Sequence, residues 1–390
     1  EIYEEGRKKE IRSLDEYQLR REPENVESVA DMATGDLVQQ QPPRNIVILM
    51  DLFYSSSYGI KRAVDVAEDF IFERIQPGDR VMVVSYFNSM RVVQPFTSDK
   101  EKVVAAMREE GLASEGRTAR LETPSGNTLP QTPNLSEQVL VEEELGERIL
   151  DQQTERLYSQ KNALNYLRSM RALADVVKEM PGRKTLIMLS EGVDFNLIDP
   201  VRLNDQEFGL ETRQNQNAEN DSAVQGPSPQ RMLSILPIYR DMIRDLNDAK
   251  VSLYTVNVGG LGAPGSASEQ FGTDDGVTPG QGMRPGIESM QSRQEFLSGA
   301  AVDTGGRAYF NTNNIRSLLD AIEVDISNYY ILGYNTEVDT NNSEYRDITV
   351  RVKRPGLNVL HRKGFRTPVP YEAMDADQWH LLGSFRFEEG

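Results

Sequence analysis

Four stretches of this chain are apolar with little or no alternation: Ile46-Val47-Ile48-Leu49-Met50, Val81-Met82-Val83-Val84, Leu186-Ile187-Met188-Leu189 and, with polar interruptions, Val251 to Val258. A run without a polar face is a strand covered on both sides, so these predict a mainly parallel sheet with helices above and below it. Helical spacing fills the intervals. Ala63, Val66, Ala67, Phe70 and Ile71 form one apolar stripe, Leu164, Leu167, Ala174 and Val177 a second, and Ile235, Ile238, Tyr239, Met242, Ile243 and Leu246 a third. Gln76-Pro77-Gly78-Asp79 and Met180-Pro181-Gly182 stop the first two, while Pro237 either opens the third or kinks it. A short helix is expected over 99–107, and Arg91–Phe96 reads as an antiparallel edge strand because it contains Pro95. Asn313 and Asn314 can cap a last helix carrying Ile315, Leu318, Leu319, Ile322 and Ile326. The fold class is α/β and doubly wound.

From Tyr329 onward the period changes from 3.6 to 2. Ile348, Val350 and Val352 alternate with Thr349, Arg351 and Lys353, the pattern of a half-exposed antiparallel strand. Pro355-Gly356 suits the middle of a type II turn, and 358–365 returns. At the other end, Glu1-Ile2-Tyr3 and Lys9 to Leu14 flank a turn at Gly6 and read as a hairpin. The two ends together predict a small antiparallel β unit split by an inserted α/β domain. The divisions are a hairpin over 1–20, a linker over 21–44, the α/β domain over 45–328, the C-terminal β unit over 329–368 and a tail over 369–390. Polar insertions interrupt the domain at 108–160, 196–230 and 259–291, the last too long for an ordinary connection. A first strand at Glu1 leaves a short open edge, which implies further strands upstream and a place where another chain could add a strand. Tyr329, Tyr330 and Tyr334 are expected in the core of the helix-to-sheet junction, and His361 as a strand residue.

Composition narrows the function. A chain of 390 residues can bury a large core without staples, and with no cysteine it has neither disulfides nor thiolate metal sites. A net charge of -18 argues against nucleic acid as a partner and is compatible with cationic partners, divalent ions or simple solubility. No apolar run reaches the roughly 20 residues of a membrane span. Two histidines, His361 and His380, leave little for histidine-based catalysis.

The candidate chemistry lies where the first buried strand ends. Asp51 follows Met50 directly, and ligands collect at the carboxyl ends of central strands in open α/β sheets. Ser55, Ser56 and Ser57 place hydroxyls on the loop that follows, and the third buried strand delivers Glu191 to the same rim. Hard oxygen donors in this arrangement suit a divalent cation. The plainer reading is that Asp51 and the serines cap the following helix.

Taken in order, several stretches resemble the von Willebrand factor type A fold, in particular the VWFA-related proteins known mostly from acidobacteria. They are Glu1-Ile2-Tyr3-Glu4-Glu5-Gly6, the Asp51 strand, Gln76-Pro77-Gly78-Asp79-Arg80-Val81, Pro181-Gly182-Arg183-Lys184, Leu189-Ser190-Glu191-Gly192, Thr304-Gly305-Gly306-Arg307, Tyr329 to Tyr334 and Arg362-Lys363-Gly364-Phe365. The resemblance implies an exported protein, periplasmic or extracellular, preceded by a signal peptide and further strands. It also implies a metal-ion-dependent adhesion site for Mg²⁺ or Ca²⁺ on Asp51, Ser55, Ser57, Glu191 and a threonine, with Thr128 and Thr118 both open for the last. Phe53 stands where such a site has its first serine, so the site is degenerate. The function implied is a non-enzymatic protein-binding or assembly module, with its partner at the rim and the long loops. Two alternatives are a homo-oligomer or filament joined by strand addition, and a metal-assisted hydrolase using Asp51 and Glu191.

Overall fold

The computed structural model describes residues 1–17, 43–121, 137–200, 233–260, 284–310, 314–336, 344–357 and 359–367. In chain order the elements are β1 (Ile2–Glu4), β2 (Arg7–Lys9), β3 (Ile11–Tyr17), β4 (Asn45–Asp51), α1 (Ser57–Arg74), β5 (Arg80–Tyr86), β6 (Met90–Thr97), α2 (Lys100–Leu121) and α3 (Glu137–Lys178). Then follow β7 (Lys184–Ser190), α4 (Leu236–Asp248), β8 (Val251–Asn257), α5 (Arg284–Asp303), β9 (Ala308–Tyr309), α6 (Ile315–Ser327), β10 (Tyr329–Tyr334), β11 (Tyr345–Val350) and β12 (Gly364–Arg366).

Six strands form the central sheet in the order β6-β5-β4-β7-β8-β9. All neighbours are parallel except β6, which pairs antiparallel with β5 at the edge, where Pro95 removes no central ladder bond. The unbroken apolar run of β4 follows from its central place. Val47 and Leu49 face a core built from α3, α4 and α5, while Ile46, Ile48 and Met50 face one built from α1, α2 and α6. Pro237 sits in the first turn of α4, where its missing N–H is no loss, and Asn314 caps α6 by accepting from the Ser317 N–H.

Helix extents depart from the sequence reading. The helix expected over 99–107 continues to Leu121 and α5 begins at Arg284, inside the insertions assigned to 108–160 and 259–291, while α3 from Glu137 agrees with the helical reading of the acidic run Glu142-Glu143-Glu144. Glycine-rich composition suggested a loop, but a helix tolerates an interior glycine at roughly 1 kcal/mol, and packing decides. Gly111 lies close enough to α1 that an added Cβ would come 3.1 Å from Val64.

The two chain ends share one β unit, as the sequence predicted. A four-stranded sheet runs β12-β11-β1-β2, and β3 pairs with β10 in a separate two-stranded ribbon. Glu5 and Gly6, both at positive φ, turn β1 into β2. β1 itself is no edge, since it lies between β11 and β2; among the described residues the edges of the two small sheets are β12 and β2, and β10 and β3. His361 belongs to no strand and accepts the Val350 N–H through Nε2, and Tyr330 is exposed on the ribbon rather than in a core.

The two ends of the domain differ. At the amino ends of the parallel strands, short turns at 75–79, 98–99, 179–183, 249–250 and 304–307 return the chain. The β unit packs there too: Asn247 Nδ2 donates to Tyr345 Oη at 3.2 Å, and Gly305 lies against the His361 backbone. Segments 122–136, 201–232, 261–283 and 311–313 all depart from elements ending at the opposite, carboxyl rim. The 42 residues of α3 measure about 63 Å at 1.5 Å each. Among the residues of α3 whose side chains are described, 156–178, the buried positions begin at Ala163.

Candidate functional site

Asp51 is the last residue of β4 and only 1% exposed. Its Oδ1 accepts the N–H groups of Phe53 and Tyr54 at 3.1 and 3.0 Å, which folds the loop back over the strand end. Its Oδ2 accepts from Ser190 Oγ at 2.6 Å. Ser190 closes β7, the parallel neighbour of β4, so this bond ties two adjacent strand ends together.

Glu191, the next residue, reaches the start of α1. Its Oε1 accepts from Ser56 N at 2.9 Å and Ser56 Oγ at 2.6 Å, while Ser56 Oγ caps α1 by accepting from Gly59 N. Two glycines make room for the carboxylate: a Cβ at Gly59 would lie 2.8 Å from Glu191 Oε1, and one at Gly259 would lie 3.1 Å from Glu191 Cδ. The Glu191 N–H donates to Ser55 Oγ at 3.3 Å, and Ser55 is buried. A small cavity beneath the loop is apolar apart from Asp51 and Ser55.

The structure thus brings Asp51, Ser55 and Glu191 together. Ser57 is the half-buried first residue of α1. Thr128 lies outside the described residues. Thr118 falls within α2, past the residues whose side chains are described. The helix-capping reading also holds, but through Ser56. Sequence reasoning placed Ser56 among the rim hydroxyls and helix-capping serines but gave no role to Ser190; the two hydroxyls bond the two acids. Phe53 turns into an aromatic group, edge-on to Tyr54, Tyr86 and Phe87 at centroid distances of 4.8, 6.2 and 6.3 Å. It offers the rim no oxygen.

The rim disfavours a bare Asp51 anion. Burial pushes the Asp51 carboxyl up from 3.8 to about 6; the bonds from Ser190, Tyr54 and Phe53 oppose this, and the neighbouring Glu191 charge adds to it. Among the described residues no group of three acidic, histidine or cysteine side chains forms a cation cage. The donor set nonetheless fits a hard divalent ion. Asp51 Oδ2 carries one hydrogen bond and Glu191 Oε2 none from the described residues, so each acid keeps lone pairs available beside the Ser55 hydroxyl.

Counted from β4 as the first, the sheet order reads 3-2-1-4-5-6 with the third strand reversed, and the two acids stand at the ends of the first and fourth strands. The fold is of the von Willebrand factor type A kind. No protein-family model matches the chain, and no curated protein matches it. Solved structures align with it at low similarity. The vWF domain of the type V pili tip protein Mfa5 from Porphyromonas gingivalis aligns at 12% identity and a TM-score of 0.36, covering 73% of this chain and 95% of that one. An aerotolerance-related membrane protein from Bacteroides fragilis aligns at 12% identity and 0.32, covering 73% and 99%. Proximal thread matrix protein 1 from the mussel byssus aligns at 10% and 0.31 over 72% of this chain and 47% of its own, so the match spans about half of that protein. At these scores the functions of those proteins do not transfer. Among the described residues no helix is long and apolar enough to cross a membrane.

Proposed function

We propose that this chain is a non-enzymatic, exported protein-binding or assembly module of the type A kind that engages its partner at the carboxyl rim of the sheet. The asymmetry of the domain carries this reading. The β unit and the short turns occupy one end, and the acid pair stands at the rim, from which the connections that follow α2, β7 and β8 depart. Loops held on a rigid sheet are where binding residues concentrate. Asp51, Ser55 and Glu191 would hold Mg²⁺ or Ca²⁺, with Ser57 and Thr128 or Thr118 as the other candidate oxygens. The bound ion would supply an electrophilic position for a partner carboxylate. The residues themselves have a metal-independent task as well: Ser190 and Ser56 hold the two acids and join β4, β7 and α1. His361, the described histidine, lies in the β unit, where Nε2 accepts from Val350 N.

Photo-crosslinking locates the contact. A crosslinker replacing exposed Tyr58, at the rim start of α1, is expected to capture a protein from extracts of the source cells in Mg²⁺ or Ca²⁺ and less in chelator. One replacing exposed Leu357, in the β unit, is expected to capture none. Capture only from Leu357, or from neither position, would overturn the reading.

A further inference from the structure

The β3/β10 ribbon exposes apolar side chains that the fold does not use, Leu14 and Tyr330 on one face and Ile331 on the other. Leu14 is 62% exposed, Tyr330 62%, Ile331 45% and Ile11 39%, on a two-stranded ribbon that is marginal by itself. One edge of β3 pairs with β10, from Tyr17 opposite Tyr329 to Leu14 opposite Leu332 and Ser13 opposite Gly333. Its outer edge meets no other strand among the described residues. Seven residues of open edge are a template for strand addition.

The sequence of that edge indicates what fits it. β3 reads Ile11-Arg12-Ser13-Leu14-Asp15-Glu16-Tyr17. A two-fold axis perpendicular to the sheet requires one residue to meet its own copy, because side chains alternate faces and partners must share a face. Centring the axis on Arg12 opposes two arginines, centring it on Asp15 or Glu16 opposes two like acids, and centring it on Ser13 sets Glu10 against Glu16. Centring it on Leu14 is different. Leucine meets leucine, Ile11 meets Tyr17, Ser13 meets Asp15, and Arg12 meets Glu16 twice, with no like charges opposed.

We propose that the outer edge of β3 pairs antiparallel with the same edge of a second copy of this chain, in the register centred on Leu14, to form a closed two-fold dimer. The joined sheet runs β10-β3 and then β3-β10 of the partner, and the intrachain register places Leu332, Leu14 and their two partner copies in one row across its face. Arg12 now pairs with Glu10, and Glu16 accepts from Tyr330 Oη at 2.8 Å; all four side chains are exposed and can rearrange. Charges on an edge normally repel strand addition, whereas here, of the five centres from Arg12 to Glu16, all but Leu14 oppose like charges; centres at Ile11 or Tyr17 would overlap the two strands by a single residue. The contact lies at the end of the domain away from the rim, so both rims stay available and a partner array would be bound with avidity.

Sedimentation of the full chain over a concentration series tests this. Wild type is expected to show a monomer–dimer equilibrium. Arg12→Glu alone and Glu16→Arg alone are each expected to weaken it about tenfold, since two attractive pairs become repulsive, and the double swap to restore it. Mixing the two single variants is the sharpest arm, because each altered edge then faces opposite charges at both positions and a heterodimer should form in preference to either homodimer. Unchanged thermal midpoints confirm that the variants fold. A wild type that stays monomeric at high concentration overturns the proposal, as would the chain's own residues covering β3. So does a dimer indifferent to the single substitutions, or a mixture with no preference for the heterodimer.

Discussion

Asp79→Ala is expected to lower the unfolding free energy by about 3–5 kcal/mol, the range for removing one partner of a buried ion pair. Asp79 accepts four hydrogen bonds: from Arg44 N at 3.1 Å, Arg44 Nε at 2.9 Å, Arg44 Nη2 at 2.5 Å and Gln76 N at 2.8 Å. Arg44 also donates to Arg74 O and Ser327 Oγ, so one guanidinium gathers the entry to β4, the end of α1, the turn before β5 and the end of α6. Both side chains are at least nine-tenths covered, at 10% and 5% exposed. Alanine at 79 strands that guanidinium and two backbone donors. A comparable change in the surface pair Arg316–Glu73, where both partners are about half exposed, should alter stability by less than about 1 kcal/mol. Urea unfolding checks this: the midpoint falls with the slope unchanged, and a loss below about 1 kcal/mol would show that the clamp does not hold the domain together.

The second large effect is a pH dependence set by Asp51. Unfolded, its carboxyl ionises near 3.8; folded and metal-free, it keeps its proton to about 6. Below the unfolded value both states are protonated and the buried neutral acid is tolerated. As pH rises through the window from about 4 to 6 the unfolded chain releases its proton first, so stability is lost, by about 3 kcal/mol for a two-unit shift, and then levels off. Asp303 and Asp325 are also pushed up by burial, so the effect is read as a difference between proteins. In chelator, the unfolding free energy of wild type minus that of Asp51→Asn should fall across that window. A flat difference would mean that Asp51 is not titrating as its burial requires.

Much of this fold was legible because burial on both faces leaves a plain signature. The runs at β4, β5, β7 and β8 could be nothing but central strands, and Pro95 marked the edge. Helix lengths were not legible at α2 and α5, where glycine and serine suggested loops while the backbone kept its hydrogen bonds. The terminal β unit was foreseen, but not that β1 is an interior strand, since which strands are neighbours depends on register between segments some 350 positions apart. At the rim, Asp51, Ser55 and Glu191 could be chosen because they end or follow buried strands. Ser190, and the bond from Ser56 to Glu191, could not, because they depend on which atom each hydroxyl reaches: Ser190 Oγ meets Asp51 only because β7 lies beside β4, and Ser56 meets Glu191 only because α1 starts over the end of β7.

The central claim is that the rim holds a divalent ion although Phe53 has replaced one oxygen. Thermal unfolding of the chelator-treated chain, repeated with millimolar Mg²⁺, Ca²⁺ or Mn²⁺ and compared with Asp51→Ala, tests it most directly. An ion present at tenfold its dissociation constant adds about 1.4 kcal/mol. The account predicts a midpoint rise of about 2 °C in wild type, and none in the variant. No rise with any of the three ions, or an equal rise in Asp51→Ala, would contradict it and leave the acid pair as a hydrogen-bonded joint between β4, β7 and α1.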